Sequence, residues 1–280
     1  MPSRIKIMLD PGHSGTNRNC SPAVPGYCES RFTWEYAKYL KKALKKTGFF
    51  DVALTRSSIN DDPEVTKRGR SAKGYSLLIS VHTNASADKK KDRVVVYRQI
   101  GNAPYAVTAK KFSNSIAPVL NKAMGCKEKY AVKTRKGSRG DYYGVLRGAA
   151  SVGTPAVLIE HSYHTNERAA TRLLNVWNLK SLAYVTCKVI CGFFGADAGY
   201  PGKLPRLAGG KAVKKGAKGR RVKKLQCFLN WFGNYALEVD GSFGKKTENA
   251  VKDFQEKEGL EPDGSFGKKS LKKAKEFKIG

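Results

Sequence analysis

The 280-residue sequence contains four histidines, and each stands at the end of an apolar run. His13 follows Ile5-Lys6-Ile7-Met8-Leu9 within Asp10-Pro11-Gly12-His13-Ser14-Gly15, and His82 follows Leu77-Leu78-Ile79-Ser80-Val81. His161 and His164 follow Ala156-Val157-Leu158-Ile159-Glu160. Two neutral imidazoles and one carboxylate, with a fourth position left open, form the ligand set of a hydrolytic zinc site. His13 and His82 can converge from neighbouring strand ends, and Glu29, just ahead of an amphipathic stripe, is the best third ligand. Asp10 competes for that role, although Asp10-Pro11-Gly12 reads more naturally as a turn. His161 and His164, three apart, offer an alternative metal pair, but Glu160 precedes both and no His-Glu-x-x-His motif results. Glu160, at the end of an apolar strand, has the placement of a general base, because partial burial raises a carboxyl pKa toward neutrality.

These residues need a scaffold that brings strand ends together. From Ile5 to about residue 195, continuous apolar runs alternate with helical stripes such as Phe32, Tyr36, Leu40 and Leu44. Further strands are expected at 52–54 and 94–97, and helices from Pro104 toward Met124 and from Leu179 to Phe194. This pattern predicts an α/β fold, a twisted, mainly parallel sheet flanked by helices, whose chemistry gathers at the carboxyl ends of the strands. Residues 198–218 are rich in Lys, Arg, Gly and Pro and read as an exposed basic linker. Beyond them, Val239-Asp240-Gly241-Ser242-Phe243-Gly244-Lys245-Lys246-Thr247 returns as Pro262-Asp263-Gly264-Ser265-Phe266-Gly267-Lys268-Lys269-Ser270. Each Asp-Gly is a turn and each Phe-Gly a helix entry, which predicts a small three-helix domain over 219–280 after a catalytic domain over 1–197.

Fifty-three Lys and Arg against 23 Asp and Glu give a net charge of +30, a field that draws polyanions. No helix interleaves Arg with aromatic residues as base stacking requires, so no nucleic-acid partner is expected. There is no apolar run long enough to cross a membrane, and residues 1–10 lack the apolar core and cleavage site of a signal peptide. The six cysteines, Cys20, Cys28, Cys126, Cys187, Cys191 and Cys227, form no Cys-x-x-Cys pair, and a disulfide framework is not expected.

In order along the chain, Leu9-Asp10-Pro11-Gly12-His13, the Glu29-led helix, Leu54-Thr55-Arg56 with Arg68, Ser80-Val81-His82-Thr83-Asn84, and Pro155-Ala156-Val157-Leu158-Ile159-Glu160 with Asn166 resemble the motifs of the zinc-dependent N-acetylmuramoyl-L-alanine amidases of the Amidase_3 family. The resemblance implies that His13, Glu29 and His82 hold one zinc ion and that Glu160 is the catalytic acid and base. Arg68 and Asn84 are the expected substrate contacts, together with His161 and His164, which depart from the family pattern. Ser14 stands where the family usually has glycine, and Ser162-Tyr163 replace its usual Gly-Phe. Residues 219–280 resemble the PG_binding_1 peptidoglycan-binding module, with Asp240, Phe243, Asp263 and Phe266 as expected wall contacts. The implied function is cleavage of the amide between N-acetylmuramic acid and L-alanine in bacterial peptidoglycan, with anionic wall polymers as further partners. The alternatives are a zinc peptidase cutting within the stem peptide and a non-catalytic wall-binding protein. Without a signal peptide, synthesis in a host cytoplasm followed by release to the wall is expected, as for a phage endolysin. The sequence does not indicate an oligomeric state.

Overall fold

A computed structural model describes residues 4–197 and 199–279. Its main sheet has six strands in the order β2-β1-β3-β8-β4-β5. These are β1 (Ile5–Pro11), β2 (Phe50–Leu54), β3 (Leu77–Asn84), β4 (Val95–Arg98), β5 (Ala131–Lys133) and β8 (Ala156–Tyr163). All adjacent pairs run parallel except β4 with β8, which is antiparallel. β8 is buried at every position, as expected of a central strand covered on both faces. A two-stranded hairpin, β6 (Lys136–Gly137) and β7 (Gly140–Asp141), stands outside the sheet.

One face of the sheet is covered by α1 (Glu29–Lys46), α3 (Pro104–Ala123) and α6 (Val176–Phe193), which with Ile7, Leu9, Ile79, Val81, Val157 and Ile159 form the larger core. In α1, Phe32, Tyr36, Ala37, Leu40 and Leu44 make the buried stripe, Glu29 lies in the first turn and Lys45 and Lys46 in the last, a charge order that suits the helix dipole. The opposite face carries α2 (Val65–Arg70) and α4 (Gly144–Ala150) over Met8, Leu78 and Leu158. These two short helices touch backbone to backbone. A Cβ on Gly69 would lie 2.2 Å from the Val145 carbonyl oxygen, and one on Gly148 would lie 2.2 Å from that of Thr66. α5 (Glu167–Leu174) links β8 to α6.

The second core is built by α7 (Arg220–Gly233), α8 (Lys245–Lys257) and α9 (Lys268–Glu276). The sequence repeat has a common polar skeleton. Gln226 Nε2 donates to Asp240 Oδ1 at 2.8 Å and its Oε1 accepts from the Gly241 N–H at 2.9 Å. One repeat later, Gln255 does the same with Asp263 at 2.7 Å and Gly264 at 2.9 Å.

The stretch expected to be an exposed linker departs from that expectation at its described residues. Tyr200 is fully buried against Phe228 and Trp231, and Val213 exchanges backbone hydrogen bonds with Phe266. The lysines of this segment do face solvent, but the apolar residues set among them anchor it to the second core. The two cores also meet directly. Arg172, on α5, donates to Glu238 Oε2 at 2.6 Å and to the carbonyls of Ala123 (2.8 Å) and Leu237 (3.2 Å). Asn178, on α6, accepts from the Val239 N–H at 2.8 Å, and Asn230, on α7, donates to Ser181 Oγ at 3.0 Å.

The cysteines bring a second correction. Cys20 and Cys28 form a disulfide, while Cys126, Cys187, Cys191 and Cys227 are free. The loop between β1 and α1 folds back on itself so that these two residues face one another as an antiparallel bridge, which their spacing does not announce.

Candidate metal centre and cleft

The parallel order β1-β3-β8 brings three strand ends side by side. Gly12, just past β1, donates its N–H to the Val81 carbonyl at 3.0 Å, and His82 is in register with Glu160 on β8. His13 and Glu160 therefore flank His82, about one strand spacing away on either side. Gly12 has a steric role here, because a Cβ on it would lie 2.2 Å from the His82 ring. His13 has φ +57°, in the left-handed region that non-glycine residues seldom occupy, which turns its side chain back over the strand ends.

Glu29 enters from the first turn of α1 and is completely buried. Its Oε2 lies 3.3 Å from His13 Nε2 and its Oε1 3.1 Å from His82 Nδ1. The Thr83 N–H donates to Oε1 at 2.7 Å and Asn19 Nδ2 donates to Oε2 at 2.5 Å. One ligand atom from each of His13, Glu29 and His82 fits within 4.8 Å of the other two. Burial alone would raise the Glu29 carboxyl, but hydrogen bonds and charge from the two histidines outweigh it and hold the group well below the ordinary carboxylate range. For His82 burial favours the neutral ring, and the Glu29 contact reverses this and raises its pKa. A buried anion shared by two imidazoles is an environment made for a cation. The set of two nitrogens and one oxygen, together with a buried His13 Nδ1 that has no hydrogen-bond partner among the described residues, fits a divalent metal ion.

Glu160 borders the same cleft, and its Oε2 is buried without a hydrogen-bond partner among the described residues. Burial pushes its carboxyl up to about 8, with the nearby Glu29 charge adding and His82 opposing. In the metal-free chain such a group is bound to its proton more tightly when folded than when unfolded. Its contribution to stability is complete below its ordinary value of 4.5 and is lost as the pH rises through about 8. Thermal melting of the chelated wild type against chelated Glu160→Gln should show the wild type losing ground steadily between pH 4 and pH 9. Parallel pH curves would contradict this burial.

The cleft, about 590 Å³, is also lined by Asn17, Asn19, Asp62, Arg68, Asn84, Tyr142, Tyr143, Arg147 and His164. Asn84, expected from sequence, is on this wall. Arg68 borders the cleft too, but it is 4% exposed and its guanidinium is engaged by Asp62 (2.6 Å), the Pro63 carbonyl (2.9 Å) and the Pro11 carbonyl (3.3 Å). It pins the end of β1, with three of its five N–H donors engaged in this way. Asp10 is likewise taken up by Thr55 and Ser80, each at 2.6 Å. His164 faces the cleft, and its Nδ1 lies 3.1 Å from Thr83 Oγ1 and 3.7 Å from Glu29 Oε2, so it backs the centre.

His161 corrects the expectation of a substrate contact. Side chains alternate along a strand, so the neighbour of Glu160 points through to the other face. Its ring packs edge-on against Tyr36 and Phe32 of α1, and burial lowers its pKa to about 4.

The expected wall contacts need correction as well. Phe243 is 2% and Phe266 0% exposed, both in the second core, and no wall polymer can reach them. Asp240 and Asp263 are exposed, but they organise the turns by accepting from the Ser242 and Ser265 N–H groups at 2.7 Å. The repeat is the signature of a fold. Phe266→Ala should cost about 3–5 kcal/mol of stability in denaturant melting. Wall binding of the molecules that remain folded should be unchanged.

Sequence reading missed Asn19, Thr83 and Tyr27, which hold Glu29 in place through the Thr83 N–H and the Tyr27–Thr83 contact of 3.1 Å. The only signal available was the position of Thr83 immediately after His82.

Comparisons with known proteins bear on the family and the fold. Residues 7–191 match the Amidase_3 family profile, described as N-acetylmuramoyl-L-alanine amidase, and residues 218–273 match PG_binding_1, a peptidoglycan binding domain. The "probable cell wall amidase LytH" of Staphylococcus epidermidis is 36% identical over 161 residues, covering 57% of this chain and 48% of the relative. That of Staphylococcus aureus is 30% identical over 168 residues, covering 60% and 50%. The chain thus spans about half the length of the curated relatives it matches. In structure, the catalytic domain of the amidase CwlV from Paenibacillus polymyxa var. colistinus superposes with a TM-score of 0.58 at 20% identity, covering 69% of this chain and 99% of that domain. An N-acetylmuramoyl-L-alanine amidase from Clostridium difficile 630 gives 0.59 at 18% identity, covering 69% and 97%; at these identities the likeness concerns the fold. Strand order, the gathered strand ends and the match over residues 7–191 lead to one assignment: the chain belongs to the Amidase_3 family of N-acetylmuramoyl-L-alanine amidases.

Proposed function

We propose that the chain is a zinc-dependent N-acetylmuramoyl-L-alanine amidase that hydrolyses the bond between the lactyl group of N-acetylmuramic acid and L-alanine in bacterial peptidoglycan. The observation that carries this reading is the convergence of ligand atoms of His13, Glu29 and His82 within 4.8 Å, Glu29 buried behind an open cleft that His13, His82 and Glu160 line. Zinc held by His13, Glu29 and His82 would supply a Lewis acid at the floor of the cleft. Glu160 takes the proton of the attacking water as its oxygen adds to the amide carbon. It then delivers that proton to the alanine nitrogen as the carbon–nitrogen bond breaks, leaving a lactyl carboxylate and a free amine. A carboxyl poised near neutrality serves both directions of transfer. Asn17, Asn19 and Asn84 offer neutral hydrogen-bonding groups on the cleft wall for the sugar and peptide amides.

The second domain supports peptidoglycan as the surface the enzyme works on, and the net charge of +30 favours walls rich in anionic polymer. Such an enzyme would act lytically after release to the wall, the use expected of an endolysin. Purified walls should lose turbidity on treatment. Mass spectrometry of the digest should show glycan strands whose lactyl groups end in free carboxyls, together with released stem peptides carrying N-terminal alanine. Products cut within the stem peptide, with the lactyl–alanine bond intact, would contradict the assignment.

A further inference from the structure

We propose that the Cys20–Cys28 disulfide is a positioning element for Glu29, so that the His13–Glu29–His82 centre is fully assembled for a cation only in the oxidised chain. The inference rests on the reading of these three residues as a metal centre and adds to it a redox condition.

Four observations place the bridge at the centre. Cys28 is the residue immediately before Glu29 and the cap of α1. Cys20 immediately follows Asn19, whose side chain donates to Glu29 Oε2 at 2.5 Å and whose carbonyl accepts the Glu29 N–H at 3.0 Å. The adjoining pair repeats the pattern, the Ser30 N–H donating to the Arg18 carbonyl at 3.2 Å. Asn19 itself sits at φ +45°, in the left-handed region that asparagine tolerates better than most residues, which sets the turn of the loop there. The cross-link thus ties the strand of loop that grips the carboxylate to the turn of helix that carries it.

Little else restrains that loop. Thr16, Asn17, Arg18, Asn19, Pro22, Pro25 and Gly26 are exposed, and from residue 15 to the bridge only Val24 and Tyr27 are buried. Its other ties are a few hydrogen bonds, including the Ser21 N–H to the Tyr27 carbonyl at 3.0 Å and Ser21 Oγ to the His164 carbonyl at 2.5 Å. Opening the bridge restores conformational freedom to the nine-residue ring of residues 20–28, and with it to Asn19, which adjoins the ring at Cys20. Helix α1 stays packed through Phe32, Tyr36 and Leu40, and the Thr83 N–H still holds Oε1. The expected effect is therefore a loosened ligand, with the helix intact. Loss of supporting hydrogen bonds of this kind lowers metal affinity about 10- to 100-fold.

The bridge is open to attack, because Cys20 is exposed whereas Cys28 is buried. A dithiol reductant attacks Cys20 Sγ as thiolate; the sulfur–sulfur bond breaks, and Cys28 leaves and takes up a proton. The second thiol of the reductant then releases Cys20. The reductant ends as its own disulfide, having given up two electrons and two protons. Reducing compartments would keep the centre weak, and the oxidising exterior would complete it.

The test uses the full chain, zinc as the probe and a competing chromophoric chelator as the readout of affinity. The chain is compared oxidised and after reduction with a phosphine, which does not bind zinc as dithiols do. Alkylation and mass spectrometry under denaturing conditions verify four free thiols before and six after. Reduction should weaken zinc binding about 10- to 100-fold. Re-oxidation should restore it in the wild type, and the Cys20→Ser/Cys28→Ser variant should be weak in either state. Hydrogen exchange should rise in residues 15–28 with α1 still protected. Equal affinity in the two redox states of the wild type, whose reversible reduction does not depend on the variant folding, would overturn the role of the bridge. Zinc bound by neither state would overturn the metal centre itself.

Discussion

Glu160→Gln should leave zinc bound with wild-type stoichiometry and slow hydrolysis of the lactyl–alanine bond about 10²- to 10⁴-fold. Glutamine has nearly the shape of glutamate, and the position is buried within β8, so the cleft keeps its form. Glu160 is not among the three residues whose ligand atoms converge, which separates its loss from loss of metal. What disappears is a carboxyl on the cleft that burial raises to about 8, where it can both take and return a proton near neutral pH. The experiment pairs elemental analysis of the purified variant with rates on a soluble muropeptide. A variant that binds zinc and cleaves at the wild-type rate would remove Glu160 from the mechanism.

Glu29→Gln is expected to reduce zinc binding and activity together. Both carboxylate oxygens of Glu29 are engaged, one toward each imidazole, and the group carries the negative charge that offsets a dication in a buried setting. An amide offers one oxygen, no charge, and a nitrogen aimed at a histidine. The loss should exceed the 10- to 100-fold cost of removing a mere supporting hydrogen bond, since a direct anionic ligand is gone. Calorimetric titration with zinc, alongside activity, checks this. Full affinity in Glu29→Gln would mean that the centre lies elsewhere.

The parts of this site that were legible in the sequence are those governed by local rules. A histidine after an apolar run is near a strand end, and in a parallel sheet such ends lie together, so the sequence alone places His13, His82 and Glu160 beside one another. Glu29 was legible as the acid that opens an amphipathic helix. The failures have equally specific causes. His161 shares its sequence neighbourhood with Glu160, but strand alternation sends it to the opposite face, against Phe32 and Tyr36. Phe243 and Phe266 belong to the motif that carries the resemblance to a peptidoglycan-binding module, and that motif expresses two copies of one turn built on Gln226 and Gln255, with its phenylalanines in the core. The Cys20–Cys28 bridge depends on the path of a loop without periodicity, and no spacing rule encodes it. α2 and α4 escaped notice because they are short and their contact depends on missing side chains at Gly69 and Gly148. The segment before α7 was read from its lysines, while Tyr200 and Val213 decide where it lies.

The most direct test of the account is X-ray absorption at the zinc edge of the loaded, full-length protein. The account predicts one zinc per chain with a shell of nitrogen and oxygen only, two imidazoles among them at about 2.0–2.1 Å, and room for a non-protein ligand. A sulfur neighbour at about 2.3 Å, or a shell without imidazole, would contradict it.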